Sequence, residues 1–312
     1  MLDSRCLEAL AAVIRLGSFE RAAEDLGLTQ SAVSQRIKRL ESQFGEPLLV
    51  RSKPVTATAA GDRVFQYILN ARLMERDLRV DTGDGKPEQF ERIRIAVNAD
   101  SLATWFADVP ARLFRRFGLL SDLVLDDETR TLDTLRSGHV LLSVGTRTDL
   151  VQGLKSYRLG SLTYFPVASP EFAARFFPDG LTVAALKRAP AVIYGRHDEL
   201  HHLFLEKHYR IGPGDFPHHV LPSSEGFVVA ARQGIAYALC AEPQVRAPIA
   251  EGALLRISPH AVSRRLVLHR RERGPAILDA VVAEIRAAAR DALSPHAPHP
   301  LDDDPPGRAG FG

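Results

Sequence analysis

Residues 18–40 of this chain have the sequence SFERAAEDLGLTQSAVSQRIKRL, which predicts two short helices joined by a tight turn. Ser18 and Thr29 are residue types that commonly cap the first turn of a helix, and Gly27 stands where the first of the two helices would end. Two short helices joined by a glycine-containing turn form a helix-turn-helix unit. We therefore predict such a unit over residues 18–38.

The second of these helices has a polar outer surface that suits the major groove of DNA. On a helical wheel, Val33, Ile37 and Leu40 share one face, and polar side chains occupy the opposite arc. Glutamine can pair with adenine, serine can bond to donors or acceptors, and lysine and arginine reach guanine or phosphate. The predicted DNA-contacting residues of this helix are Gln30, Ser31, Ser34, Gln35, Arg36 and Lys38. From the wheel alone, the alternative is a helical hairpin of an unrelated domain with a solvated polar face.

The flanking residues complete a domain over residues 1–57. An amphipathic helix precedes the unit, and a small hairpin, or wing, follows it around residues 47–55. Arg51 and Lys53 lie on this wing and are predicted phosphate contacts, which position a protein on DNA without reading its sequence. We interpret residues 1–57 as a winged helix-turn-helix DNA-binding domain.

The overall charge of the chain conceals this local patch. The 312 residues include 40 Lys and Arg against 38 Asp and Glu, a net charge of only +2, so the chain has no strong overall positive field. Residues 29–53 alone contain five cations and two acids. With 45% hydrophobic and 25% charged residues, the composition is that of a globular protein and excludes a disordered, collagen-like or coiled-coil chain. Two distant cysteines and the lack of a signal pattern or long apolar run predict a cytoplasmic protein.

Residues 58–81 form one long helical pattern that we interpret as a linker and dimerisation helix. Its apolar positions step by three and four residues, the spacing of a helix–helix seam. The predicted dimerisation residues are Val64, Tyr67, Ala71, Met74 and Leu78. The alternative is that these residues form one face of a domain core. Glycine and proline in residues 82–90 predict a flexible joint.

Residues 91–293 alternate apolar strands with helices, which predicts an α/β region with largely parallel sheets. The predicted strands are 93–97, 123–125, 140–144, 163–168, 191–194, 220–222, 235–240, 254–257 and 266–269, and one helix is predicted over 102–117. This length allows one large domain or two lobes. For two lobes, the bounds would be about 91–162 and 267–293 for lobe I and about 163–266 for lobe II. We predict a disordered tail at 294–312.

Polar residues follow the predicted strands at the end where α/β sheets bind ligands. Asn98, Asp100, Ser101 and Thr104 follow the first strand and open a helix, whose backbone N–H groups could hold a carboxylate. Further candidates are Asp127, Glu128 and Thr129 after the second strand and Ser143 at the end of the third. The carboxylates suit a ligand with ammonium or guanidinium groups. The alternative, compatible with binding, is that Asp100, Glu128 or Thr129 caps a helix.

The residue string in the N-terminal part resembles the LysR-type transcriptional regulators. The resemblance covers residues 19–37 and continues through Leu40-Glu41, Gly45, Pro47-Leu48-Leu49, Arg51 and Thr58-x-x-Gly61. It implies a winged helix-turn-helix, a dimerising linker helix and a C-terminal two-lobed effector domain like that of periplasmic binding proteins. It also implies homodimers and homotetramers on a double-stranded DNA operator, and contact with RNA polymerase if the protein is an activator.

A narrower resemblance is to the branch of that family that regulates arginine and lysine export. It is carried by residues 19–23, 96–105, 127–131 and 223–227. It implies a basic amino acid, lysine or arginine, as co-effector and an amino-acid exporter gene as target. A regulator with another effector, such as an aromatic or purine metabolite, stays open, as does an enzyme or solute-binding protein.

Enzyme motifs are weak. His197-Asp198-Glu199-Leu200-His201 has two histidines at the spacing of a zinc-protease motif, but aspartate replaces the glutamate after the first histidine. The sequence contains neither a P-loop nor a nucleophile-elbow motif. We predict no catalytic residue, no metal site and no cofactor apart from the small-molecule co-effector.

Overall fold

The computed structural model describes residues 2–81, 90–125, 131–136, 139–147, 152–195, 198–212 and 216–294. The predicted ligand residues Asp127, Glu128 and Thr129 lie outside these residues, as do most of the predicted joint and all of the predicted tail after Ser294.

The N-terminal part contains the predicted helix-turn-helix. Helix α1 spans Ser4–Leu16, α2 spans Phe19–Asp25 and α3 spans Gln30–Phe44. The Ser18 side chain accepts a hydrogen bond from Arg21 N, and the Thr29 side chain accepts one from Ala32 N, so both predicted caps are confirmed. Gly45 ends α3 in a left-handed conformation.

These helices enclose a hydrophobic core that the wing and the next helix complete. Val33, Ile37 and Leu40 of α3 are fully buried, as the wheel predicted. Strand β1, Leu49–Val50, pairs antiparallel with β2, Thr56–Ala57, and these two strands form the predicted wing. We call α1–α3 with β1 and β2 the winged domain.

Helix α4, Ala59–Asp81, is the predicted linker helix, and its first turn fits tightly under the wing. Thr58 caps this turn by accepting a hydrogen bond from Gly61 N and donates a second to Pro47 O. A Cβ atom at Gly61 would lie 1.9 Å from the carbonyl oxygen of Leu48. Only glycine therefore allows this close approach between the helix and the wing.

We expect Gly61→Ala to lower the free energy of unfolding of the winged domain by about 2–3 kcal/mol, because overpacking forces the backbone to move. Gly195→Ala is the matched control, since no atom lies within 4 Å of its added Cβ and its φ is not positive. Urea denaturation of both variants, followed by circular dichroism, measures the difference. Equal stability of the two variants would contradict the close approach.

The predicted dimerisation residues of α4, which we call the dimerisation stripe, differ in how far their side chains are exposed. Val64 is buried in the core of the winged domain, and Ala71 is half-buried. Tyr67, Met74 and Leu78 are 53%, 51% and 64% exposed, so they form the accessible part of the stripe. Dimerisation through this stripe stays a prediction.

Residues 90–294, which we call the effector region, contain one mixed nine-stranded sheet. Its strands are β3 (Arg92–Val97), β4 (Leu120–Leu125), β5 (Leu142–Gly145), β6 (Leu154–Ala168), β7 (Ala191–Ile193), β8 (His218–Val220), β9 (Tyr237–Ala241), β10 (Leu255–Arg256) and β11 (Val262–Arg271). Apart from β10, which pairs with β6, the order across the sheet is β4-β3-β5-β11-β6-β9-β7-β8. The prediction of largely parallel sheets is only partly right. β3 and β7 pair parallel with both of their neighbours, but β6 and β11 form antiparallel ladders through the centre.

The helices cover both faces of this sheet. They are α5 (Ala99–Leu102), α6 (Val109–Phe117), α7 (Thr131–Arg136), α8 (Pro170–Phe176), α9 (Val183–Leu186), α10 (Glu199–Tyr209), α11 (Ser224–Arg232), α12 (Glu242–Ala250) and α13 (Ile277–Ala292). The single helix predicted over residues 102–117 is wrong, because a short 3-10 turn, Phe106–Asp108, separates α5 from α6.

Two groups of elements pack separately along the long strands. We call β3–β5 with α5–α7 and α13 the first lobe, and β7–β10 with α8–α12 the second lobe; β6 and β11 run through both. The residue boundaries predicted for lobes I and II stay a prediction. Within the described residues, no helix combines the length and the apolar character that a membrane crossing requires.

Candidate functional site

The outer surface of α3 presents most of the predicted DNA-contacting residues to solvent. Gln30, Ser31, Gln35 and Lys38 are exposed, and Ser34 is half-buried on the flank. Gln30 and Ser31 lie in the first turn, where the helix dipole also favours a phosphate. The surface therefore has amide side chains within two turns of its N-terminal end and a cation, Lys38, just beyond them.

Arg36 points in a different direction from the other predicted contacts. Its guanidinium donates a 3.5 Å hydrogen bond to the carbonyl oxygen of Arg5, and its side chain is half-buried. On the wheel Arg36 lies much nearer the buried face than Gln35 does, which explains this contact within the domain. The neighbouring Arg39 is exposed and forms a 3.4 Å ion pair with Asp3.

The wing places its two predicted cations beside the helix-turn-helix. Arg51 and Lys53 are both exposed. The Arg51 guanidinium lies 5.7 Å from the centroid of the Phe19 ring, so a cation–π contact holds it at the start of α2. Both side chains are accessible for phosphate contacts.

In the effector region, Asp100 joins the two lobes. Its carboxylate accepts a hydrogen bond of 2.7 Å from the hydroxyl of Tyr164 on β6 and another of 2.6 Å from Ser224 at the start of α11. The Ser224 oxygen also lies 3.3 Å from Oε1 of Gln244 on α12. Asp100 therefore lies where the first lobe meets the second, a region that we call the cleft, and capping does not explain its carboxylate contacts.

Four buried polar atoms, in residues 98–105 and in β5, have no hydrogen-bond partner among the described residues. They are Asn98 Oδ1, Ser101 Oγ, Trp105 Nε1 and Ser143 Oγ. Asn98 follows β3 but makes no capping bond, and Ser143 lies beside Ala96 in the sheet register. Because an unpaired buried polar atom is costly, these four atoms are suited to bind the polar groups of a ligand.

The first turn after β3 is short, and carboxylate binding by its backbone N–H groups stays a prediction. Helix α5 has only four residues, so its dipole is small. The hydroxyl of Thr104 donates to the backbone oxygen of Asp100 at 2.6 Å and so supports the turn, while its contact with a ligand stays a prediction.

The electrostatics of the cleft favour a cation. Burial raises the pKa of Asp100, and the hydrogen bonds from Ser224 and Tyr164 offset part of that increase. None of the ion pairs among the described residues involves Asp100. A bound ammonium or guanidinium group would stabilise the charged carboxylate.

Sequence reasoning missed three residues of this cleft. Tyr164 and Gln244 are brought to Asp100 by pairing and packing across the sheet, and no local pattern identifies them. Ser224 lies in residues 223–227, which carried part of the narrower resemblance, but that resemblance gave it no role.

His201, from the sequence that is spaced like a zinc-protease motif, packs against other side chains. His201 is buried, hydrogen-bonded to the hydroxyl of Tyr237 at 3.2 Å and stacked on Phe216. Burial and the neighbouring His202 and His218 lower its pKa to about 3. Asp198 caps α10, and His197 lies outside the described residues. Among the described residues no three metal-binding side chains are arranged to hold an ion.

Comparisons with known proteins agree with both halves of this architecture. Residues 4–62 match the family of bacterial regulatory helix-turn-helix proteins of the lysR type, and residues 87–291 match the LysR substrate binding domain. The HTH-type transcriptional regulator ArgP of Aeromonas salmonicida is 44% identical over 270 residues, which cover 86% of this chain and 90% of the relative.

Solved structures show the same similarity along nearly the whole chain. The crystal structure of ArgP from Mycobacterium tuberculosis has a TM-score of 0.76 and 37% identity, and the match covers 95% of this chain and 100% of that one. Full-length LysG from Corynebacterium glutamicum, solved with the effector Arg bound, has a TM-score of 0.65 and 28% identity over 94% of this chain and 100% of that one.

The matches extend across the winged domain, the linker helix and the effector region, and they bear out the resemblance of the residue strings. The helix-turn-helix is a DNA-binding element, and the relatives are regulators rather than enzymes. The chain belongs to the LysR family of DNA-binding transcriptional regulators, in the branch that contains ArgP and LysG.

Proposed function

We propose that this regulator controls an amino-acid exporter gene in response to lysine or arginine. The observation that carries the ligand assignment is the carboxylate of Asp100, which links the lobes through Tyr164 and Ser224 and has no ion-pair partner among the described residues. Buried polar atoms of Asn98, Ser101 and Ser143, which have no hydrogen-bond partner among those residues, support it. The bound arginine in the LysG structure and the names of the ArgP relatives support the same assignment.

In this proposal the ligand uses complementary groups of the cleft. Asp100 binds the ammonium or guanidinium group, and Tyr164 and Ser224 hold its carboxylate in place. Asn98, Ser101 and Ser143 bind the remaining polar groups, with Asp127, Glu128 and Thr129 as further contacts from the segment after β4. Because Asp100 and Ser224 belong to different lobes, a ligand between them changes the relative free energies of open and closed arrangements.

The DNA half of the proposal uses the surface of α3 and the wing. Gln30, Ser31, Ser34, Gln35 and Lys38 contact the major groove of a double-stranded operator, and Arg51 and Lys53 contact phosphates. Arg36 has its partner inside the domain and contributes by fixing α3 against α1. A regulator that reads the chromosome of a bacterium acts in the cytoplasm.

We further propose that the chain works as a homodimer that assembles into a homotetramer. Tyr67 and Met74 leave apolar surface exposed on α4, and pairing this surface with a second copy would remove it from water. A dimer also places two recognition helices in successive major grooves. An activator of this kind contacts RNA polymerase once it is bound beside the promoter.

A thermal-shift screen of the twenty amino acids tests the ligand assignment. A ligand at about one hundred times its Kd stabilises a protein by about 2.7 kcal/mol, so we expect arginine or lysine to raise the melting temperature by about 5–10 °C. Neutral and acidic amino acids should leave it unchanged. Aromatic and purine metabolites are screened in the same way. If one of them shifts the transition and neither basic amino acid does, the ligand assignment is wrong and the alternative regulator is right.

A further inference from the structure

Helix α4 belongs to two hydrophobic cores at once. Ala60, Val64 and Ile68 in its first half are buried in the core of the winged domain. Leu73 in its second half is fully buried in the core of the first lobe. Near its start, Asp62 also lies 3.6 Å from His139 of the effector region. One helix therefore connects the packing of the two parts.

Arg76, in the second half of α4, contacts the end of helix α6. Its guanidinium donates a hydrogen bond to the carbonyl oxygen of Phe117, the last residue of that helix. The last carbonyl groups of a helix have no partner within the helix and carry its partial negative charge. Arg76 satisfies one of them with a cation.

The next residue, Asp77, contacts the start of helix α13. Its carboxylate accepts a 3.3 Å hydrogen bond from the backbone N–H of Ile277, the first residue of that helix. Ala276 stands at the capping position and offers no side-chain acceptor. Asp77 therefore supplies, from another part of the chain, the cap that the sequence around α13 lacks.

We propose that Arg76 and Asp77 act together as a clamp that fixes the linker helix to the first lobe. Each residue brings to a helix end the charge that the helix dipole favours there, so reversing the two charges would make both contacts repulsive. Because the same helix is built into the core of the winged domain, the winged domain follows the first lobe when the lobes move. Arg76 and Asp77 are thus positioning residues that couple the ligand cleft to the DNA-binding surface.

Hydrogen exchange of the full-length chain tests the clamp without any ligand. In Asp77→Ala, we expect amides in the first turn of α13 and the last turns of α4 to exchange about five-fold to thirty-fold faster than in the wild type. Asp77→Asn should stay close to the wild type, because its side-chain oxygen still accepts the hydrogen bond. Glu75→Ala, at an exposed neighbouring position, is the control. Unchanged protection in Asp77→Ala would overturn the clamp.

A second measurement tests the coupling and rests on the proposed function. In Arg76→Asp/Asp77→Arg, we expect arginine to bind within about two-fold of wild-type affinity while its effect on operator affinity falls to nearly none. A full effect on operator affinity in this variant would overturn the coupling. If the wild type does not respond to arginine, the proposed effector fails, and the exchange experiment still decides whether the clamp exists.

Discussion

Replacing Gln35 and Lys38 together by alanine should weaken operator binding at least about one hundred-fold. A bidentate contact to a base contributes about 1–3 kcal/mol, a dimer uses each side chain twice, and loss of Lys38 also removes a cation from the interface. Both residues are exposed on α3 while the buried face of the helix stays intact, so the variant should fold normally.

The measurement is a fluorescence titration of DNA fragments that the wild-type chain selects from the genome, repeated at several salt concentrations. Gln43→Ala is the matched control, because Gln43 is exposed on the same helix two turns beyond Gln35. We expect the control to bind like the wild type and the double variant to lose both affinity and part of the salt dependence. Unchanged binding of the double variant would mean that α3 is not the recognition helix.

Replacing Asp100 by asparagine should lower the affinity for arginine or lysine by about thirty-fold or more. The substitution keeps the shape of the side chain but removes the charge that pairs with the ligand, and losing one partner of a buried charge pair costs about 2–5 kcal/mol. Isothermal titration calorimetry measures the change. Asp108→Asn, at an exposed acid of the same lobe, is the control and should bind the ligand normally.

The same substitution should leave the ligand-free protein as stable as before, or make it more stable. Burial raises the pKa of Asp100, so the folded state disfavours the charged carboxylate. The free energy of unfolding therefore falls as the pH rises through the pKa of the folded state. Near neutral pH the neutral asparagine avoids this cost, and the hydroxyl groups of Tyr164 and Ser224 can both donate and accept. A variant that unfolds without ligand, or that binds arginine as well as the wild type, would contradict the role of Asp100.

The local elements of the DNA-binding half were predictable because their determinants lie within a few residues of one another. Ser18 and Thr29 cap their helices through residues three positions ahead, and Gly45 ends α3 where its left-handed conformation is needed. The buried face of α3 follows directly from helical periodicity. Arg36 points away from the other predicted contacts because its position on the wheel borders the core, where α1 offers it a carbonyl oxygen, and its DNA contact stays a prediction.

The effector region was predicted in its elements but not in how they pair. Strands β6 and β11 are longer than the segments expected, and they pair antiparallel through the middle of the sheet. Apolar runs indicate where strands lie, but hydrogen-bond pairing joins residues that are far apart in the chain and leaves no local signature. The expectation of largely parallel sheets is only partly right for this reason.

The sequence by itself determined the class of protein, the helix-turn-helix, the long linker helix and the candidate acid Asp100, since each rests on residue type and short-range spacing. Only the tertiary structure decided what these residues touch. It brought Tyr164 and Ser224 to Asp100, put glycine at position 61 against the Leu48 carbonyl group, and placed Arg76 and Asp77 at the ends of two helices. These contacts join residues far apart in sequence, and their geometry depends on the packing of the whole sheet and its helices.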